Sequence, residues 1–315
     1  MPGAPSGGRG ATVATGMGAS RGSYTITGGE QGKRRLDLLA EIMRPTTLRL
    51  LDDAGLHRGD RCLDLGCGGG NVVLDMARIV GPNGSVTGVD FDPQVLELAR
   101  QDAKDAGLGN VEYHATDVRA FDGGPFDLVY ARFLLSHLSD PEDLLVRMRR
   151  LVRPGGRIVV EDTDHSGSYC HPFNAANARF VELYTEVVRR GGGDADLGRR
   201  LPAMVLAAGL GDVGWNVFQP VHASGPHKHM TAVTMERIRP AVLRYGLTTS
   251  QEADAIITGM YAFAADPFTL VGMPRMVQVW ELHGMSLAGS PGYRIAVTCC
   301  HRSPDMGAQA RAQAS

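Results

Sequence analysis

Cys62-Leu63-Asp64-Leu65-Gly66-Cys67-Gly68-Gly69-Gly70 is the stretch that decides how this chain is read. A short apolar run at 61–65 meets a cluster of glycines, and Asn71–Val80 then repeats apolar residues at helical spacing. The pattern predicts a strand, a sharp turn and a helix whose free N–H groups open toward the turn. Two phosphate-binding readings fail on spacing. A dinucleotide fingerprint needs a third glycine where Asn71 stands. A P-loop needs Gly, four residues, then Gly-Lys-Ser/Thr; the near match at Gly32-Lys33 has Thr27 first and Arg34 last. What remains is Asp64-x-Gly66-x-Gly68-x-Gly70, with an acid inside the strand end. That acid repels a pyrophosphate and suits a cationic ligand such as a sulfonium amino acid.

Outward from this turn, strands and helices alternate. Strands are predicted at Arg61–Leu65, Ser85–Asp90, Val111–His114, Phe126–Ala131 and Arg157–Asp162, and helices at Pro93–Ala106 and Pro141–Val152. Ser139-Asp140-Pro141-Glu142 reads as a capping box, and Pro154-Gly155-Gly156 as a turn. Such alternation implies an α/β fold, a doubly wound Rossmann-like sheet that is mostly parallel with an antiparallel last strand. Upstream, Glu30–Met43 reads as one helix and Thr46 or Thr47 to Ala54 as a second, separated by Pro45 and stopped at Gly55. Downstream, helices are expected over Phe173–Arg190, Leu197–Gly209 and 229–270, and strands at Gly214–Val221 and Met276–His283.

The expected organisation is a disordered arm at 1–22, where glycine is frequent, and a ligand-binding core at 23–165 with N-terminal helices. Helical substrate-lid insertions follow at 166–193 and 225–272, the rest of the core at 194–224 and 273–285, and a flexible tail at 286–315. Met230, Met235, Tyr245, Met260, Tyr261, Phe263 and Phe268 fill the second insertion, the composition of a lid over an apolar ligand as much as of a core.

The glycine motif resembles the first motif of the class I S-adenosylmethionine-dependent methyltransferases, and further motifs fall in order. Val89-Asp90-Phe91-Asp92 ends the second strand, Thr116-Asp117-Val118 follows the third, Phe126–Arg132 matches the fourth, and Leu151–Arg157 matches the turn before the fifth. The resemblance is closest to the ubiquinone/menaquinone-type small-molecule branch and covers roughly 30–165 with parts of 195–285. It implies S-adenosylmethionine as cofactor, held by Asp64, Gly66, Cys67, Gly68 and Gly70. Asp90 is implied on the ribose hydroxyls, Phe91 on the adenine face, and Thr116, Asp117 and Val118 at the adenine edge. Ala131 and Arg132 end the fourth strand beside the cofactor. Tyr24 resembles a flap residue closing on the methionine moiety, and Arg35 a partner for its carboxylate.

The competing readings are plain ones. Asp90 is a helix cap, Asp117 a turn residue, Cys67 a small filler, Arg35 and Tyr24 part of a solvated face and arm. His227-Lys228-His229 and Cys170-His171 lack a second ligand pair at zinc spacing, so no metal is expected. Methyl transfer needs position and desolvation more than a catalytic group, since the reactivity is the cofactor's. Where a base is required, His137 is the first candidate, on one face with Phe133 if a helix follows the fourth strand. His165 is the second, Glu161 a weaker third, and Tyr24 joins the histidines beside the transferred methyl.

With 32 basic and 34 acidic residues among 315, the chain has no general attraction for nucleic acid or anionic membrane. Ala131-Arg132-Phe133-Leu134 stands where nucleic-acid amino-methyltransferases carry Asn/Asp-Pro-Pro-Tyr/Phe. Five cysteines at irregular spacing make no disulfide framework, and neither a signal peptide nor a transmembrane run is seen. The expectation is a cytoplasmic enzyme acting on a small apolar or aromatic metabolite, with a homodimer left open. C-methylation leads over N- and O-methylation. The alternative is a protein that uses the bound sulfonium for isomerisation or cyclisation without methyl transfer.

Overall fold

The computed structural model describes residues 29–211 and 213–281, so Tyr24, the 1–22 arm and the 286–315 tail lie outside the described residues. Its elements are α1 (Gly29–Asp53), β1 (Arg61–Leu65), α2 (Asn71–Val80), β2 (Ser85–Asp90), α3 (Pro93–Asp105), β3 (Val111–Ala115), β4 (Phe126–Arg132), α4 (Pro141–Leu151) and β5 (Val152–Asp164). After these come β6 (Tyr169–His171), α5 (Ala175–Arg190), α6 (Leu201–Ala207), β7 (Val213–Phe218), β8 (Val221–His222), α7 (Met230–Arg244), α8 (Ser250–Ala265), β9 (Leu270–Gly272) and β10 (Arg275–Glu281).

Seven strands form one sheet in the order β3-β2-β1-β4-β5-β10-β7, the first five parallel and β10 antiparallel to both neighbours. Side chains alternate between two cores. Leu63, Leu65, Val129, Ala131, Ile158 and Val160 point to one face, and Cys62, Leu128, Tyr130 and Val159 to the other. The sheet is thus covered on both sides, as apolar runs in parallel strands require. Strand order reverses between β1 and β4, the place where an open α/β sheet leaves a crevice at its carboxyl edge. A second sheet, β6-β9-β8, packs its β6 against α5. There α5, α7 and α8 share a core of their own, built on Phe180, Tyr184, Met235, Ile238 and Met260.

Several expectations are corrected. Residues 29–53 are one helix that carries Pro45 inside it, not two. Leu39 and Met43 pack on one cluster while Leu50, Leu51 and Ala54 pack on another, so burial on both sides of Pro45 outweighs its missing N–H. No α-helix follows β4: Phe133 takes φ 52°, a left-handed value, and Leu135–His137 is a single 3-10 turn. The i, i+4 face once expected for Phe133 and His137 therefore does not exist. The cap of α4 is Asp140, whose carboxylate accepts from Asp143 N, rather than a Ser139–Glu142 box. The Pro154-Gly155-Gly156 turn lies within β5 as a register shift, Phe126 pairing with Val152 and Leu128 with Arg157. The helix expected at 197–209 is a 3-10 turn, Leu197–Arg200, running into the shorter α6.

Candidate functional site

The crevice at the β1/β4 reversal is the mouth of a cavity of about 1050 Å³. Its floor is the glycine turn. Gly66 and Cys67 both donate to Val89 O, at 2.8 and 3.0 Å, which ties the turn to the end of β2. Gly68 has φ 50°, and its N–H donates to Asp90 Oδ2 at 2.9 Å. Asp90 Oδ1 accepts from Asp92 N at 3.0 Å, so two backbone amides fix this carboxylate at the cavity wall. Asp90 does not cap α3; Asp92 does, accepting from Gln94 N and Val95 N. Burial raises the Asp90 pKa, and the amide donors oppose the shift.

Asp64 lies deeper and is 2 % exposed. Among the described residues its carboxyl has no hydrogen-bond donor, and burial pushes its pKa up to about 8, opposed by the Arg132 charge. A lone acid at the bottom of a ligand cavity is costly unless a cation arrives. A sulfonium amino acid would supply that cation, so the acid at the cavity bottom fits one. A cation bound against Asp64 would lower its pKa, so below about pH 8 binding would expel a proton and the affinity for S-adenosylmethionine is expected to rise with pH. The expected slope approaches about tenfold per pH unit between roughly pH 6 and 8 and flattens above. Calorimetry in buffers of different ionisation heat reads the released proton, and Asp64→Asn should remove the slope; a flat profile in the parent chain refutes the role.

Phe91, 53 % exposed, and Asp117, Val118 and Arg119 form the neighbouring wall. Asp117 is held by Arg119 Nη2 at 2.6 Å, and this pairing, opposed by desolvation, keeps its carboxyl below the usual range. Thr116 does not line the cavity; its N–H donates to Asp90 O at 2.9 Å. Gly70 and Ala131 do not line it either. A Cβ on Gly70 would stand 2.6 Å from the Tyr113 hydroxyl and 3.0 Å from Ala99, so this glycine serves helix packing. Cys67 lines the cavity with its thiol pushed up by burial, as a filler rather than a nucleophile.

The opposite end is built from α1, the 3-10 turn after β4, the end of β5, α5 and α7. Arg35, on α1, is 8 % exposed and donates from Nε to Thr234 Oγ1 at 3.1 Å; Thr234 in turn donates to Met230 O at 2.8 Å. Arg35 is thus buried, against the competing reading of a solvated face, and its expected pairing with the methionine carboxylate stays open. His137 and His165 both reach the cavity, and burial pushes them down to about 4 and about 3, with the Arg35 charge adding to each shift. The His165 ring stacks on Tyr184 with centroids 4.1 Å apart. Asp162 Oδ2 accepts from Ser136 N at 3.0 Å and so holds the turn that carries His137. Arg132, whose guanidinium sits 5.7 Å over the Phe133 ring, completes the wall.

Glu161 is not a base candidate. It is fully buried away from the cavity, accepting from the Tyr130 hydroxyl, from Thr47 Oγ1 at 2.9 Å and from Gln278 Nε2 at 2.6 Å. Tyr184, Thr234, Met273 and Met276 also line the cavity, and the sequence reading did not single them out as site residues. Their only signal was the apolar and methionine-rich composition of the later chain.

A family model described as a methyltransferase domain matches residues 56–188. The ubiquinone/menaquinone biosynthesis C-methyltransferase UbiE of Teredinibacter turnerae is 30% identical over 159 residues, 48% of this chain and 61% of that protein. The demethylmenaquinone methyltransferase of Lactococcus lactis is 33% identical over 127 residues, 40% of this chain and 49% of that one. This chain thus spans about half the length of the curated relatives it matches. In fold it is similar to a Haemonchus contortus phosphoethanolamine N-methyltransferase solved with phosphomonomethylethanolamine and S-adenosylhomocysteine. That match has a TM-score of 0.50 at 18% identity and covers 81% of this chain and 58% of that one. Residues 56–188, the stretch that the methyltransferase-domain family model matches, hold the glycine turn, Asp90, Asp117 and both cavity histidines.

Proposed function

We propose that this chain transfers a methyl group from S-adenosylmethionine to a small apolar or aromatic acceptor, with carbon the favoured atom and oxygen or nitrogen the alternatives. The observation that carries this is one cavity with two unlike ends: an acid-and-glycine end at Asp64, Gly68 and Asp90, and an end of methionine and aromatic side chains. In this reading Asp90 holds the ribose hydroxyls, Phe91 covers the adenine, and Asp117 and Val118 meet its edge. Asp64 neutralises the cationic end. The cofactor, when bound, supplies a methyl carbon already activated by positive sulfur. The protein's part is to align the acceptor and keep water out. Helices α5 and α7 act as the lid, with Met230, Met273 and Met276 adapting to an apolar ligand.

His137 and His165 are neutral at pH 7 and able to take a proton, but pKa values near 4 and 3 make them poor general bases there. Positioning is therefore the larger share of their role. The test is formation of S-adenosylhomocysteine from S-adenosylmethionine across quinol, phenol and amine acceptors. Turnover with His137→Ala should stay within about tenfold of the parent chain, less than the 100-fold typical of a general base. Conversion of an acceptor with no S-adenosylhomocysteine formed would instead favour isomerisation or cyclisation.

A further inference from the structure

Among the described residues, Arg35 is a buried cation with no carboxylate partner. Its guanidinium lies in the cavity, and among the described residues its hydrogen bond is to a neutral hydroxyl, Thr234 Oγ1. Lys33, on the same helix, is paired with Asp37 and Asp102 at 2.6 and 2.7 Å, whereas Arg132 and Lys228 share with Arg35 a neutral oxygen as partner, Thr47 Oγ1 at 3.2 Å and Asp266 O at 2.6 Å. Taking a guanidinium out of water without a counter-charge is costly, so a ligand that supplies the anion binds with added gain. Two observations place that anion at the acceptor end. Arg35 is held by α7, a helix of the insertion, rather than by the glycine turn. Its field falls on His137 and His165, whereas the cation acting on Asp64 is Arg132.

Resting on the methyl-transfer reading above, we propose that Arg35 receives an anionic oxygen of the acceptor, and that the acceptor is therefore an aromatic carboxylate or phenolate and not an amine. The charge pattern of the pocket agrees. No carboxylate among the described residues lines the cavity beside Arg35, His137 and His165 to receive an ammonium group. Phe180 and Tyr184 from α5 and Met230, Met273 and Met276 from the other walls supply the apolar surface that an aromatic ring needs. Thr234, fixed by its own bond to Met230 O, sets the guanidinium plane so that its Nη groups stay available for a two-point contact with an oxyanion.

The experiment uses the full chain loaded with S-adenosylhomocysteine and four ring-matched probes: naphthoate, a nitronaphthol ionised at pH 8, naphthalenemethanol and naphthylmethylamine. Binding is read by calorimetry. The parent chain should favour at least one anionic probe over the neutral alcohol by about 10- to 100-fold, the range of a charge-assisted hydrogen bond, and should bind the amine most weakly. Whether naphthoate or the nitronaphthol leads decides between carboxylate and phenolate. Arg35→Gln should abolish the anion preference while naphthalenemethanol and S-adenosylhomocysteine bind as before, and Arg35→Lys should keep part of it. An absent anion preference in the parent chain overturns the proposal. So does an Arg35→Gln variant that loses S-adenosylhomocysteine as strongly as naphthoate, because Arg35 is then the partner of the cofactor carboxylate. Should Arg35→Gln fail to fold, Thr234→Val, which frees the guanidinium without removing it, must weaken the anion preference or the assignment fails. Failure of methyl transfer with the anion preference intact would reject the activity and leave the Arg35 assignment standing.

Discussion

Asp90→Ala is expected to lower the affinity for S-adenosylhomocysteine by roughly 30- to 1000-fold, about 2–4 kcal/mol for two lost charge-assisted hydrogen bonds. The carboxylate is already aimed before any ligand arrives, since Gly68 N and Asp92 N hold its two oxygens. Little ordering is therefore left for the ligand to cost. The same bonds mean that alanine also removes an acceptor from the glycine turn, which should destabilise the fold by about 1 kcal/mol. Asp90→Asn separates the two effects, because the amide keeps one acceptor of nearly the same shape but loses the charge. Calorimetry on both variants decides. If Asp90→Ala binds within about threefold of the parent chain, less than a single hydrogen bond is worth, the ligand lies elsewhere.

Glu161→Ala is expected to damage the fold and not the chemistry, at about 3–5 kcal/mol. One fully buried carboxylate joins four elements: the Tyr130 hydroxyl on β4, Thr47 on α1, Gln278 on β10, and its own strand β5. Removing it strands three buried donors at once, and Arg132, which donates to Thr47 Oγ1 at 3.2 Å, loses the charge behind its partner. For a chain of this size the melting temperature should fall by roughly 6–20 °C. Cofactor affinity of the protein that remains folded should be unchanged. A melting temperature equal to the parent's together with a turnover loss near 100-fold would restore Glu161 as a general base.

The parallel half of the sheet was legible because β1, β2 and β5 carry short apolar runs closed by Gly or Asp, and because Asn71–Val80 and Pro93–Asp105 bury single stripes. The carboxyl edge was legible too, since acids at the ends of β1 and β2 are chemically conspicuous. What failed was local inference where tertiary contacts decide. Pro45 reads as a break, yet α1 runs through it because residues on both sides are anchored in separate cores. Phe133–His137 reads as an amphipathic turn of helix, yet Phe133 turns left-handed and donates its N–H to Glu161 O at 2.8 Å, which ends the regular backbone. The acceptor end was least legible of all. Arg35, His137, His165, Tyr184 and Thr234 come from five separate stretches of chain, and no spacing rule links them.

The position of β10 sets an order on how this molecule is assembled. It is the last described strand in the chain, yet it lies inside the sheet, hydrogen-bonded to β5 on one side and β7 on the other. A chain growing on the ribosome completes β5 at residue 164 and must then wait for residues 275–281 before that edge is covered. At typical rates of synthesis the interval is on the order of ten seconds, long compared with strand pairing. During it β5 presents bare backbone amides to any other strand in the neighbourhood, and β7 has no neighbour at all. Gln278, which bridges Asn216 on β7 and Glu161 on β5, closes both gaps in one step. The seam of the nascent protein is therefore in the middle of its finished sheet.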